Sequence, residues 1–203
     1  ANGEIILEST PILEYLERLR PEPQLFPDDP DERGQVDDLV RFLDRVAGTS
    51  VRAYMYWLII QQPGALHSRW REGLSAGQRV VLAAMMPVMN RVLPRVFGLT
   101  ADRAPGHLER VWQSCERVEQ RLEETGDGYL VGGRFTAADL TAASLLGPAL
   151  GPPGSPWHDG AFDIPPSAEV LAFRETFRQR PVAPWIIEIW QQHRRPAREG
   201  TAI

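Results

Sequence analysis

The chain has 203 residues, 43% of them hydrophobic and 24% charged, which is ordinary for a soluble globular protein that can bury a core without disulfides or metals. Its net charge of −5 disfavours a general nucleic-acid binder, which would carry a basic surface. The single cysteine, Cys115, excludes an internal disulfide or a multi-cysteine metal cluster within this chain. Apolar runs stay well short of the roughly 18 residues of a membrane span and the start does not resemble a signal peptide, so we expect a cytoplasmic protein without a membrane partner.

The first segment of the chain predicts one strand and one helix. Glu4–Leu7 has the composition of a strand and follows the turn signal Asn2-Gly3. Ser9 or Thr10 can cap a helix that ends near Arg20. Because a lone strand cannot form a sheet, either Glu4–Leu7 is not a strand or its partner strands lie upstream. We favour the second alternative and interpret residues 1–20 as the end of a domain.

A proline-rich linker, residues 21–30, leads into a segment in which helical periodicity dominates to the end. We therefore expect residues 31–203 to form an all-helical domain. A bend is expected at Gly48-Thr49-Ser50 and kinks at Pro87 and Pro94. The predicted helices run from about Asp31 to Gln62, Ser75 to Phe97, Pro105 to Thr125, Thr136 to the residue before Gly147, Ser167 to Gln179 and Pro181 to Gln192.

The most informative local motif is the stretch from Phe135 to Leu140. Thr136 stands where it can cap a helix and accept from the backbone N–H of Asp139, whose carboxylate can reach back to the N–H of Thr136. Phe135 and Leu140 fit the flanking hydrophobic staple. The motif predicts a structural capping box.

Few residues suggest direct chemistry. Cys115 lies on the apolar face of its predicted helix, which favours a buried structural thiol. The four histidines are too scattered to share a metal face, so we expect no metal site. No motif among these residues identifies a catalytic group.

Two segments are candidates for ligand binding. Glu8 and Ser9 join the predicted strand to a helix start, where a backbone N–H and a hydroxyl suit a carboxylate; the alternative is a plain capped junction. The second segment lies on the long helix and combines aromatic side chains with an arginine. Its residues can line a pocket for an apolar electrophile or can equally be core and boundary residues: Arg52, Tyr54, Tyr56 and Trp57.

Two motifs together resemble the cytosolic glutathione S-transferase family. Residues 5–16, with the Glu8-Ser9 pair, resemble the last strand and helix of that family's thioredoxin-like domain. Residues 129–140, with Thr136 and Asp139, resemble the loop and capping box of its C-terminal helical domain. The linker and the helices follow in the expected order, so the resemblance covers essentially the whole chain. It implies a mainly α fold, a glutathione transferase-like helical bundle preceded by a fragment of a thioredoxin-like α/β domain.

The resemblance also implies an activity. Glutathione would be the co-substrate, with Glu8 and Ser9 holding its γ-glutamyl end, and a small apolar electrophile would lie against the Arg52–Trp57 stretch. The family's catalytic Tyr, Ser or Cys lies early in the thioredoxin-like domain, so we expect poor conjugation by the 203 residues alone. A homodimer is implied as well. Two alternatives are a non-catalytic binding or interaction protein with the same fold and, less in keeping with the acidic start, a helical ligand-binding regulator.

Overall fold

The computed structural model describes residues 5–61, 74–96, 98–155, 157–158 and 166–194. Within these ranges the chain is mainly α-helical and has no strand, only an isolated bridge between Val131 and Arg134. The helices are α1 Ser9–Leu19, α2 Pro30–Leu43, α3 Thr49–Ile60, α4 Ala76–Val96, α5 Ala104–Thr125, α6 Ala137–Leu150, α7 Ala168–Arg178 and α8 Val182–His193, with a π-helical turn, Asp44–Gly48, between α2 and α3.

The predicted strand, Glu4–Leu7, is wrong for Ile5–Leu7, which have no strand structure. Glu4 lies outside the described residues. Ile5 and Leu7 are 83% and 74% exposed and pair with no other described segment. A strand is stable only when neighbouring strands satisfy its backbone hydrogen bonds. Residues 5–7 are therefore an exposed lead into α1.

The predicted long helix runs unbroken through α2, the π-helical turn and α3. Its start is set by Asp29, whose carboxylate accepts from the N–H groups of Asp31 and Glu32, with Pro30 in the first turn. The π-helical turn, Asp44–Gly48, ends directly before Thr49, where the sequence predicts a bend. A Cβ on Gly48 would lie 3.4 Å from the side chain of Leu145, an ordinary van der Waals distance, so this turn packs against α6 without requiring glycine.

Helix α6 is the centre of the bundle. It contacts α2, α3, α7 and α8. Apolar residues cover every side of it, which is the pattern of a helix buried all round, and most of its side chains are buried. Small alanine side chains on this helix let the surrounding helices pack closely against its backbone. The core lies around α6.

The predicted end of this helix was too early. Pro148 lies inside α6, which continues to Leu150 and closes at Gly151, where φ is +65° and the N–H donates to the Gly147 carbonyl at 2.8 Å. Proline removes one helical N–H donor, but Gly147, Ala149 and Leu150 are all buried. Tertiary packing of this last turn outweighs the lost bond.

Helix α4 is the most exposed long helix of the described chain. It spans both Pro87 and Pro94 without interruption; the expected kinks stay a prediction, and Phe97 lies outside the described residues. One of its faces exposes a row of apolar side chains: Val81, Met85, Val88, Val92 and Val96. None of the described helices, α4 included, combines the length and apolarity that crossing a membrane requires.

Candidate functional site

Glu8 and Ser9 do not form the predicted capped junction. Glu8 holds the N-cap position of α1 with φ 73° and ψ 154°, and its side chain makes no capping hydrogen bond. This backbone region is nearly reserved for glycine and costs about 1–3 kcal/mol, so it persists only where the surrounding structure imposes it. Ser9 is already the first helical residue and is exposed, and the Thr10 hydroxyl donates to Asp44 Oδ2 at 3.3 Å. The Ser9 side chain is therefore not used for capping.

Helix α1 is held against the linker and α2 by its acidic side chains. Oε1 of Glu17 accepts from the backbone N–H groups of Leu25 and Phe26 at 2.7 and 3.1 Å. Glu14 pairs with Arg33 at 2.6 Å. Together with the bond from Thr10 to Asp44, the first residue of the π-helical turn, these contacts set the start of α1 beside the junction of α2 and α3.

The four candidate pocket residues of α3 divide between two faces. Tyr54 packs edge-on against Phe173 of α7 with ring centroids 4.9 Å apart, and Trp57 lies 5.7 Å from Tyr54. Burial raises the pKa of the Tyr54 hydroxyl. Arg52 is exposed and Tyr56, one turn later on the same face, is half-buried. The structure therefore brings together Tyr54 with Trp57 rather than all four.

The cluster around Tyr54 continues into the core. Trp112 of α5 lies 5.7 Å from Phe173 and 5.8 Å from Phe177. Aromatic pairs at these distances add packing energy beyond the area they bury. For Tyr54 and Trp57 the contacts favour the core-and-boundary interpretation that the sequence left open, because both side chains pack against the buried core and Tyr54 joins α3 to α7.

Thr136 and Asp139 form both arms of a capping box at the start of α6. Asp139 is fully buried. One of its oxygens accepts from the N–H of Thr136 and from the hydroxyl of the same residue, each at 2.8 Å, and the other accepts from the N–H of Leu130 at 2.8 Å. Burial raises the pKa of the Asp139 carboxyl, and these hydrogen bonds, which favour the charged form, offset only part of that rise. Asp139 therefore joins the loop before α6 to the start of the helix. The sequence did not predict its hydrogen bond with Leu130.

Cys115 is a buried thiol with no access to substrate. It is 0% exposed on α5, and burial, with a smaller contribution from the nearby Glu119 carboxylate, raises its pKa to about 12. Reactive cysteines need a thiolate and some exposure. These features are those of the structural thiol expected from the sequence.

A cavity of about 380 Å³ opens between α6 and α8, and we call it the α6/α8 cavity. None of the ligand residues predicted from the sequence lines it; Phe135 and Leu140, which flank the capping box, do. The sequence signal that was overlooked is the pair of tryptophans near its mouth, one in a proline- and glycine-rich loop and one on the last helix. The lining residues are Phe135, Leu140, Ala143, Ser144, Trp157, Ile189, Trp190, His193 and Arg194.

Within the described ranges, no group of three or more His, Cys, Asp and Glu side chains is placed to hold a metal ion.

No protein-family model matches the chain, and no curated protein matches it. A solved structure with a similar fold is the crystal structure of the beta-etherase LigF from Sphingobium sp. strain SYK-6. The match has a TM-score of 0.52 and 21% identity and covers 92% of this chain and 75% of LigF. The predicted mainly α fold class is confirmed: the described residues form a helical bundle whose fold is similar to that of LigF.

Proposed function

We propose that the protein is a glutathione transferase-like enzyme. Glutathione is the co-substrate: its thiolate attacks a small apolar electrophile, a carbon–sulfur bond forms and a leaving group departs. Residues 1–20 are the end of a thioredoxin-like domain, residues 21–30 a linker and residues 31–203 the helical domain. The group that stabilises the thiolate belongs to the thioredoxin-like domain and lies outside the described residues.

The observation that carries this proposal is the state of the Glu8-Ser9 pair. The Ser9 hydroxyl is exposed at the start of α1 and is not used as a cap, and Glu8 holds a backbone conformation that costs energy. A helix start with an available hydroxyl and N–H groups suits a carboxylate. A carboxylate at position 8 suits an ammonium group. The γ-glutamyl end of glutathione carries both charges on one carbon.

The electrophile side of the proposal rests on Arg52 and Tyr56. Arg52 and Tyr56 share one face of α3. Tyr54 packs instead against Phe173 of α7, and Trp57 packs against Tyr54. Arg52 and Tyr56 are therefore the better candidates for the electrophile wall, with Tyr54 and Trp57 supporting them from behind. LigF is named a beta-etherase, so ethers belong in a substrate panel beside halide-bearing electrophiles.

Calorimetric titration of glutathione tests the proposal in the protein with its complete thioredoxin-like domain. Ser9→Ala removes a charge-assisted hydrogen bond worth about 1.5–3 kcal/mol, so affinity should fall by about tenfold or more. Glu8→Gln keeps the shape and removes the charge that pairs with the α-ammonium. Ser75→Ala is the matched control, because Ser75 accepts from the N–H of Gln78 at the start of another helix. Unchanged affinity in both Ser9 and Glu8 variants would refute the assignment.

We also propose a homodimer. The exposed apolar row of α4 supports it, because a row of neighbouring exposed valines and a methionine is typical of a surface that another protein covers. Sedimentation equilibrium should give twice the monomer mass, and Val88→Glu should shift the protein toward the monomer. Leu171→Glu, at an exposed leucine on α7, should leave the dimer intact.

A further inference from the structure

We propose that the α6/α8 cavity is a second ligand site, which takes a small aromatic anion such as an aryl carboxylate. This inference goes beyond the glutathione-dependent reaction. No residue of α1 or α3 lines the cavity, so neither the Glu8-Ser9 pair nor the Arg52–Tyr56 face contributes to it. A ligand here would occupy a place of its own.

The walls of the cavity suit a planar aromatic group. Phe135 and His193 are stacked with ring centroids 3.9 Å apart and planes within 10° of each other. Trp157 and Trp190 supply two further aromatic surfaces, and the cavity volume of about 380 Å³ falls in the range of small-molecule pockets. Aromatic rings bind one another in offset or edge-on arrangements that add to the area they bury.

The charge of the cavity selects an anion. Among the described residues that line the cavity, Arg194 is the one fully charged side chain, and none of them is Asp or Glu. The guanidinium lies 4.6 Å from the centre of the Trp190 ring and donates through Nη1 to the Gly154 carbonyl at 2.5 Å. A guanidinium has five N–H donors in a planar fork that matches a carboxylate. A carboxylate on an aromatic ring would therefore meet a cation beside an aromatic wall.

The wall on α8 is fixed before any ligand arrives. Trp190 donates through Nε1 to the carbonyl of Ala143 at 3.1 Å. A Cβ on Gly147 would lie 3.2 Å from the Trp190 indole, so glycine is what allows this contact between α6 and α8. His193 is held by a hydrogen bond of 3.2 Å between its Nε2 and the Tyr129 hydroxyl.

The wall formed by the loop after α6 is fixed as well. Arg174 of α7 is 3% exposed and donates to the backbone carbonyls of Trp157 and His158, the latter at 3.2 Å. These bonds hold the backbone that carries the Trp157 ring. Walls held in place lose little freedom on binding, which favours affinity. Arg174 is a positioning residue for this site.

Calorimetric titration of the 203-residue chain with 2-naphthoate and with the neutral 2-naphthalenemethanol tests the inference. We expect one naphthoate per chain, bound at least about tenfold more tightly than the alcohol, since one charge-assisted hydrogen bond accounts for that ratio. Arg194→Gln should remove the preference for naphthoate and leave the alcohol unchanged. Ser144→Leu, at an exposed lining position on α6, should fill the mouth and weaken both ligands at least about fivefold.

Arg178→Gln is the matched control, because Arg178 is a half-exposed arginine on α7 that pairs with Glu175 and does not line the cavity. It should bind both ligands like the parent. Arg194 and Ser144 are exposed, so unchanged melting temperatures should show that each variant is folded. The inference is overturned if naphthoate does not bind, if Arg194→Gln or Ser144→Leu binds it like the parent, or if Arg178→Gln weakens it equally. Unchanged glutathione affinity in the Ser9 and Glu8 variants would leave this result standing.

Discussion

A Cβ on Gly151 would lie 2.7 Å from Cζ of Arg174, closer than real side chains approach one another. Gly151 closes α6 in the left-handed conformation, with φ +65°, and the buried guanidinium of Arg174 packs directly on it. The same guanidinium binds carbonyls of the following loop. One buried arginine thus joins the end of α6, the loop that carries Trp157 and α7.

Gly151→Ala should lower the free energy of unfolding by about 3 kcal/mol. About 1–2 kcal/mol comes from a left-handed alanine, and the rest from displacing Arg174 from buried carbonyls. Gly126→Ala is the matched control, because Gly126 closes α5 at φ +70° with nothing within 4 Å of its Cβ position. Urea denaturation should show the larger loss for Gly151→Ala. Equal losses would mean that the Arg174 contact contributes nothing.

Asp139→Ala should lower the free energy of unfolding by about 2–4 kcal/mol, because two buried N–H donors and a hydroxyl lose their acceptor. Asp139→Asn should also destabilise, since its amide nitrogen would face one of these donors. The control is Asp38→Ala, whose carboxylate is 75% exposed in a surface ion pair with Arg41. Urea denaturation midpoints measure all three, and a midpoint for Asp139→Ala like that of the control would contradict the role of the capping box.

Cys115 should react slowly with Ellman's reagent in the native protein at pH 8 and at once in concentrated urea. The native thiol has a pKa of about 12, while an unfolded one ionises near about 8.5. Above that lower value the unfolded state loses its proton first, so stability should fall as the pH rises between the two values. The absorbance of the aromatic thiolate that the reagent releases follows the reaction. Cys115→Ala should remove the part of the alkaline loss of stability that comes from this thiol. Rapid native labelling would show that the thiol is accessible.

Local signals in the sequence were sufficient for most of the helices. The bounds of α5 agree with the prediction to within a residue, because Pro105 and Gly126 mark its ends by conformations that need no tertiary partner. The capping residues of α6 were readable for the same reason: Thr136 and Asp139 bond to backbone groups within one turn. The local sequence predicted the wrong end for α6, because burial of the residues around Pro148 stabilises the helix beyond the proline.

The sequence by itself determined the mainly helical class and the capping box, since these follow from periodicity and from contacts a few residues apart. Only the tertiary structure decided that Ser9 is not a cap and that Tyr54 packs against Phe173 of α7. It also decided that Phe135 meets His193 to form a cavity wall. Such pairs join residues tens of positions apart, and their meeting depends on how helices cross, which periodicity along one helix does not encode.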